Sequence, residues 1–173
     1  MPLALKSPKI KSLSALKKIV EEAHLQKKKV VLANGCFDLI HIGHIRYLLS
    51  AKRKGHILIV AINSDRSVRE LKGFGRPLLS ERERAYIIAS FWFVDYVTIF
   101  DQRSVDHILK KIRPDVHAKG SDYRPETVPE KQTAKKLGLK IAIVGGPKIK
   151  SSSTVIKQLV KKLASKEARK VKK

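Results

Sequence analysis

Val30-Val31-Leu32-Ala33-Asn34-Gly35-Cys36-Phe37-Asp38-Leu39-Ile40-His41-Ile42-Gly43-His44 decides the fold. Its first four residues form an apolar run long enough for one buried strand. Asn34-Gly35 is expected to break that strand, because glycine adopts backbone conformations closed to β-branched residues. Beyond His41 the spacing becomes helical, with Ile42, Ile45, Leu48 and Leu49 on one expected buried face. Two histidines thus stand where a strand has turned into the first turn of a helix. Such a turn has unpaired N–H groups and a partial positive charge, which suit an anion. Imidazoles add donors for phosphate oxygens, and Gly43 between them allows close approach to the backbone. The stretch is suited to the phosphates of a nucleotide.

The elements on either side support a sheet around it. Ser12 is placed to cap a helix over about 12–26, and a loose arm is expected before it, over residues 1–11. Ile57-Leu58-Ile59-Val60-Ala61-Ile62 is a continuous apolar run of the kind found in parallel strands covered on both faces. A helix from about Asp65 to Leu71 leads to the basic turn around Lys72-Gly73. Ser80 and Glu83 form a capping box for a helix ending near Phe91. Strands are expected at Tyr96–Phe100, Asp115–Lys119 and Lys140–Val144. A helix stopping before Pro114 and another with Pro129 in its first turn separate them. Ser151 to Thr154 opens a last helix, with Val155, Ile156, Leu159, Val160 and Leu163 on its buried face.

Alternating strands and helices specify an α/β fold. It is a Rossmann-like doubly wound sheet of about five parallel strands with helices on both faces. Ligands of such sheets bind beyond the carboxyl ends of the strands. Those ends carry Asn34 to His44, Asn63 to Asp65, Lys119 to Asp122 and Gly145 to Thr154. Residues 1–173 read as one domain, with a core at about 29–164 and a basic tail at about 164–173.

Composition narrows the function classes. Hydrophobic residues make up 43% and charged residues 31%, as in a folded domain and not a disordered chain. No apolar run has the length of a membrane span and the N-terminus lacks the apolar core of a signal peptide, so a cytoplasmic protein is expected. The single cysteine, Cys36, has no disulfide partner in the chain and reads as a small packed residue. A net charge of +23 suits polyanions. Its excess lies at the ends and on expected helix surfaces, however, which favours a solvated face over a nucleic-acid site.

Further stretches in register point to a family. They are Ala61-Ile62-Asn63-Ser64-Asp65, Leu71-Lys72-Gly73 with Arg76-Pro77, Lys119-Gly120-Ser121-Asp122-Tyr123 and Ser152-Ser153-Thr154. With the histidine stretch they resemble the HxGH nucleotidylyltransferase superfamily, and within it the adenylyltransferase half of bifunctional ADP-heptose synthases. The likeness runs from about Leu13 to Leu163 and includes no sugar-kinase half, so a stand-alone transferase is expected.

The resemblance implies transfer of AMP from ATP to D-glycero-β-D-manno-heptose 1-phosphate, with release of pyrophosphate, for lipopolysaccharide precursors. It implies His41, His44 and Lys72 as catalytic residues. Asn34, Gly35, Phe37, Asp38, Gly43, Lys119, Gly120, Asp122, Ser152, Ser153 and Thr154 would bind nucleotide and phosphate. Asn63, Asp65 and Arg76 are weaker substrate candidates. No dedicated metal cage is visible, and Mg²⁺ is expected on the triphosphate. Dimers are common in the family, so a homo-oligomer, most simply a dimer, is expected. Lys157 stands where many members carry arginine, and it offers a point charge in place of a planar fork.

Other assignments follow from the residues. Arg82 and Arg84 are expected on an exposed helix face or a subunit contact. His24, His56, His107 and His117 read as structural, and Phe91-Trp92-Phe93 as core or an oligomer face. Two alternatives compete with the adenylyltransferase: a cytidylyltransferase on a sugar or polyol phosphate, and an RNA-binding protein, because His-Ile-Gly-His also occurs in class I aminoacyl-tRNA synthetases. Against the latter, the usual synthetase modules do not fit in the chain, and the motif order favours the transferase.

Overall fold

The apolar runs at 30–33 and 58–62 are buried on both faces of a sheet in the computed structural model, which describes residues 6–147 and 160–161. The order is α1 (Leu13–Leu25), β1 (Val30–Gly35), α2 (Ile42–Lys52), β2 (Ile57–Asn63), α3 (Asp65–Lys72), α4 (Glu81–Ala89), β3 (Tyr96–Phe100), α5 (Asp106–Ile112) and β4 (Val116–Gly120), then a 3₁₀ turn (Pro125–Thr127), α6 (Lys131–Leu137) and β5 (Lys140–Val144). The five strands form one parallel sheet in the order β3-β2-β1-β4-β5, reversing direction of progression between β1 and β4.

Successive strand residues feed opposite cores. Val31, Ala33, Leu58, Val60 and Ile62 pack with Leu48 and Ala51 of α2 and Ala85 and Ile88 of α4. Val30, Leu32, Ile59 and Ala61 pack with Leu16 and Val20 of α1 and Ile108 and Leu109 of α5. Both faces being covered removes the polar alternation expected of a half-exposed strand.

The expected caps form: Ser12 Oγ accepts from Ala15 N, and Ser80 with Glu83 makes a reciprocal box. Several local expectations are corrected. Asn34 and Gly35 do not interrupt β1 but form its last two residues, paired with Ala61 and Ile62. The left-handed residue is instead Phe37, at φ 48°. A Cβ on Gly35 would lie 3.2 Å from the Phe37 ring, so glycine here makes room for that side chain. The arm before α1 is not loose at its inner end. Lys11 N donates to Val97 O at 2.8 Å and Val97 N to Lys9 O at 2.9 Å, covering the open edge of β3. The buried face of α2 is Tyr47, Leu48 and Ala51, with the expected Ile45 and Leu49 partly buried against the same core, while Ile42 is half exposed. The Tyr47 hydroxyl donates to Ala118 O at 2.8 Å, joining the helix to β4.

Arg84 is not on an exposed face but wholly buried, and Trp92 is exposed while Phe93 takes the core position. Pro129 precedes α6 instead of entering its first turn, because Lys131 N already closes a turn on Val128 O. Of the expected last helix, Val160 and Lys161 are described; they are helical, and Val160 is exposed instead of buried. Its other residues, with Ser152, Ser153, Thr154 and Lys157, lie outside the described residues.

Candidate active site

A cavity of about 530 Å³ lies at the carboxyl ends of the strands, over the β1–β4 reversal. It is the location expected for a ligand of an open parallel sheet. Among its lining residues are the expected Asn34, Gly35, Phe37, Asp38, His41, Gly43, His44, Asn63, Lys72, Lys119, Gly120 and Asp122. Asp65 and Arg76 are outside the lining, held in ion pairs with Arg84 and Asp38.

The histidines are organised by the backbone of their own turn. His41 is the N-cap of α2, and its Nδ1 accepts from Gly43 N at 3.1 Å. His44 Nδ1 accepts from His41 N at 3.4 Å, completing a capping box made of imidazoles. The rings stack with centroids 3.9 Å apart, and His44 packs against Phe37 at 5.3 Å. Because each Nδ1 accepts, each neutral ring carries its proton on Nε2. Burial lowers the His44 pKa to about 4, with His41 and Lys72 adding to the shift, and burial also lowers that of His41. Near pH 7 the site therefore holds neutral Nε2–H donors.

Two buried ionic groups hold the loop that carries them. Asp38, 1% exposed, pairs with Arg76 and accepts from Leu78 N at 2.6 Å, tying the loop after β1 to the one after α3. Arg84 donates to Leu79 O at 3.0 Å, Cys36 O at 2.5 Å, Asn63 O at 2.8 Å and Asp65 Oδ1 at 2.7 Å. Its planar fork joins the ends of β1 and β2 to the start of α4. Lys72 closes α3 beside the cavity, followed by Gly73 at φ 87°. Asn63 Nδ2 donates to Ser67 Oγ at 2.9 Å. Burial raises the Cys36 pKa, against the pull of Lys72 and Arg84, so a thiolate nucleophile is disfavoured.

On the other side of the reversal, the Asn34 carbonyl is fixed by two donors. His117 Nε2 lies 3.1 Å from Asn34 Oδ1, and Lys119 Nζ lies 3.3 Å from it. Lys119 also lies 3.0 Å from Glu130 Oε2 and 4.8 Å from the centre of the Tyr123 ring. His117 is thus not merely a packing residue; it orients a residue of the cavity wall. Gly145 and Gly146, at φ 98° and 67°, bring the chain after β5 against α2, where a Cβ on Gly145 would be 3.2 Å from Tyr47 Cα.

Sequence reasoning left Arg46, Arg103, Ser104, Tyr123 and Glu130 unassigned, yet all line the cavity. Tyr123 stood inside a quoted motif. Arg103, Ser104 and Glu130 follow or precede strands at the same sheet edge, which was the available signal.

A cytidylyltransferase-like family model matches residues 32–159, from within β1 to beyond β5. The chain belongs to the cytidylyltransferase-like family. Bifunctional protein HldE of Syntrophotalea carbinolica is 40% identical over 152 residues, covering 88% of this chain and 31% of that protein. The HldE of Campylobacter curvus is 44% identical over 151 residues, covering 87% and 31%. The chain thus spans about a third of the length of these curated relatives. Among solved structures, a lipopolysaccharide core biosynthesis protein from Thermoplasma volcanium is similar, with a TM-score of 0.60 and 25% identity over 71% of this chain and 99% of that one. A pantoate-beta-alanine ligase from Francisella tularensis, 16% identical, shares the fold with a TM-score of 0.60 over 83% of this chain and 68% of that one.

Proposed function

We propose that this chain is an adenylyltransferase that joins AMP from ATP to a sugar 1-phosphate, D-glycero-β-D-manno-heptose 1-phosphate, releasing pyrophosphate. The observation that carries it is the imidazole capping box, which presets both Nε2–H groups as donors at a helix start. The HldE relatives and the lipopolysaccharide core biosynthesis protein support the heptose substrate and a place in lipopolysaccharide precursor synthesis.

In the reaction, a phosphate oxygen of the sugar 1-phosphate attacks the α-phosphorus of ATP in line, the bond from that phosphorus to the bridging oxygen breaks, and pyrophosphate leaves. Such transfers depend on positioning and charge stabilisation more than on covalent chemistry. His41 and His44 donate to phosphoryl oxygens as charge builds there. Lys72 supplies a cation without needing to lose a proton. Gly35, Phe37 and Gly43 keep the backbone open to the triphosphate, and Ser152, Ser153 and Thr154 hold its far end.

Mg²⁺ is brought by the triphosphate, whose oxygens are the ligands that ion favours. Among the described residues no group of three or more His, Cys, Asp or Glu side chains is arranged to hold a metal. No described helix is long and apolar enough to cross a membrane. The proposed setting of the reaction is the cytoplasm, with this nucleotidyltransferase domain paired as a homodimer. The family description also favours CTP as an alternative donor.

Pyrophosphate release with heptose 1-phosphate and Mg²⁺, offered ATP and CTP separately, tests the proposal. Release with ATP is expected. A preference for CTP changes the nucleotide alone, and silence with both overturns the heptose assignment.

A further inference from the structure

The cavity has two chemically different ends. Around His41, His44, Lys72 and Arg103 it offers donors and cations, which suit phosphates. Beyond β4 its wall holds the Tyr123 ring, Val144 and the buried carboxylate of Glu130. Glu130 is 3% exposed and Lys119 4%, so the two charges neutralise each other out of water. Glu130 Oε2, itself closed to water, is the oxygen that faces Lys119 Nζ at 3.0 Å, so the oxygen left to meet a ligand is Oε1. A carboxylate repels phosphate, whereas an apolar wall with an aromatic ring suits a base. Of the other buried carboxylates at the cavity, Asp38 is occupied by Arg76 and the Leu78 N–H.

We infer that Glu130 is a specificity-determining residue that accepts a hydrogen bond from the exocyclic amine of the nucleotide base, so that the site selects amino bases (adenine or cytosine) over oxo bases (hypoxanthine or uracil). The inference rests on the nucleotidyl-transfer function proposed above and extends it to the base. Lys119 holds the carboxylate in place, and Asn34 with His117 holds Lys119. An oxo base would set its oxygen against the carboxylate and leave a buried acceptor unpaired, a strong source of discrimination. Adenine and cytosine both satisfy Glu130, so this contact excludes oxo bases without separating ATP from CTP.

Calorimetric titration of the full chain with the Mg²⁺ salts of ATP, ITP, CTP and UTP tests the assignment. In the unmodified protein each amino nucleotide is expected to bind at least about tenfold more tightly than its oxo partner. In Glu130→Gln the amide oxygen stays with Lys119 and the amide N–H faces the cavity, so the ratio should fall below about threefold or invert. Glu130→Asp keeps the charge beside Lys119 but withdraws the acceptor, and should lower the ratio as well. Equal binding of ATP and ITP by the unmodified protein, or an unchanged ratio in a folded variant, overturns the assignment and leaves nucleotidyl transfer standing. Binding of no nucleotide at all overturns the parent function and the base contact together.

Discussion

His117 Nε2 lies 3.1 Å from Asn34 Oδ1 across the β1–β4 reversal, with His117 wholly buried. One strand's cavity residue is therefore oriented by its neighbour's core residue. Burial lowers the His117 pKa to about 3, Lys119 adds to the shift and Asp106 opposes it. The ring is neutral near pH 7 and donates to Asn34.

That burial predicts acid sensitivity. Between pH 6.5 and about 3 the unfolded chain protonates this histidine and the folded chain does not, so stability falls with falling pH. Below about 3 both states bind the proton and the loss stops. The slope is about 1.4 kcal/mol per pH unit for one fully shifted group. His117→Gln keeps a donor to Asn34 without titrating, and urea unfolding at pH 7 and pH 4.5 should show a smaller acid loss than in the unmodified protein. An identical loss would remove His117 as a cause.

His41→Asn separates capping from chemistry. Asparagine is a good N-cap, so α2 should survive with a melting temperature within a few degrees. The Nε2–H donor disappears, and turnover by pyrophosphate release should fall about 100-fold or more. Full turnover in this variant would mean that His41 acts only as a cap.

Arg84→Met should be among the most damaging core changes. It strands Cys36 O, Asn63 O and Leu79 O and leaves Asp65 without its partner. Breaking a buried ion pair of this kind costs about 3–5 kcal/mol, measurable by chemical denaturation. A loss under about 1 kcal/mol would show that water replaces the guanidinium.

Gly55→Ala tests a close approach that no motif announces. An added Cβ would lie 2.7 Å from both Lys29 O and Val31 Cγ2, and the carbonyl belongs to backbone that cannot rotate away. A destabilisation of about 1–3 kcal/mol is expected from overpacking. At Gly138, where φ is 68° but a Cβ would meet nothing within 4 Å, alanine should cost less, about 1 kcal/mol of backbone strain. Thermal unfolding of the two variants ranks them.

Periodicity and turn chemistry determined much of this protein directly. The run Ile57 to Ile62 is typical of a strand covered on both faces, Ser12 and Ser80 marked helix starts, and the two histidines marked a strand-to-helix turn. These are local properties, set by residues within a few positions of one another. Asn34-Gly35 misled because a local preference for breaking a strand lost to pairing with β2. Arg84 misled for the same reason: on the surface of an isolated helix it is an ordinary charged residue, and only the meeting of three loops around it supplies enough acceptors to bury it. Glu130 joined the cavity wall, and His117 came to orient Asn34 in it, only when β4 was laid beside β1 and Lys119 came to stand between Asn34 and Glu130. What the sequence by itself determined were the elements, their order and the histidine turn, because those depend on near neighbours. Which side chains share the cavity, and which charges are buried together, was decided by the tertiary structure alone, because hydrogen bonds across more than eighty residues exist only after the sheet has closed.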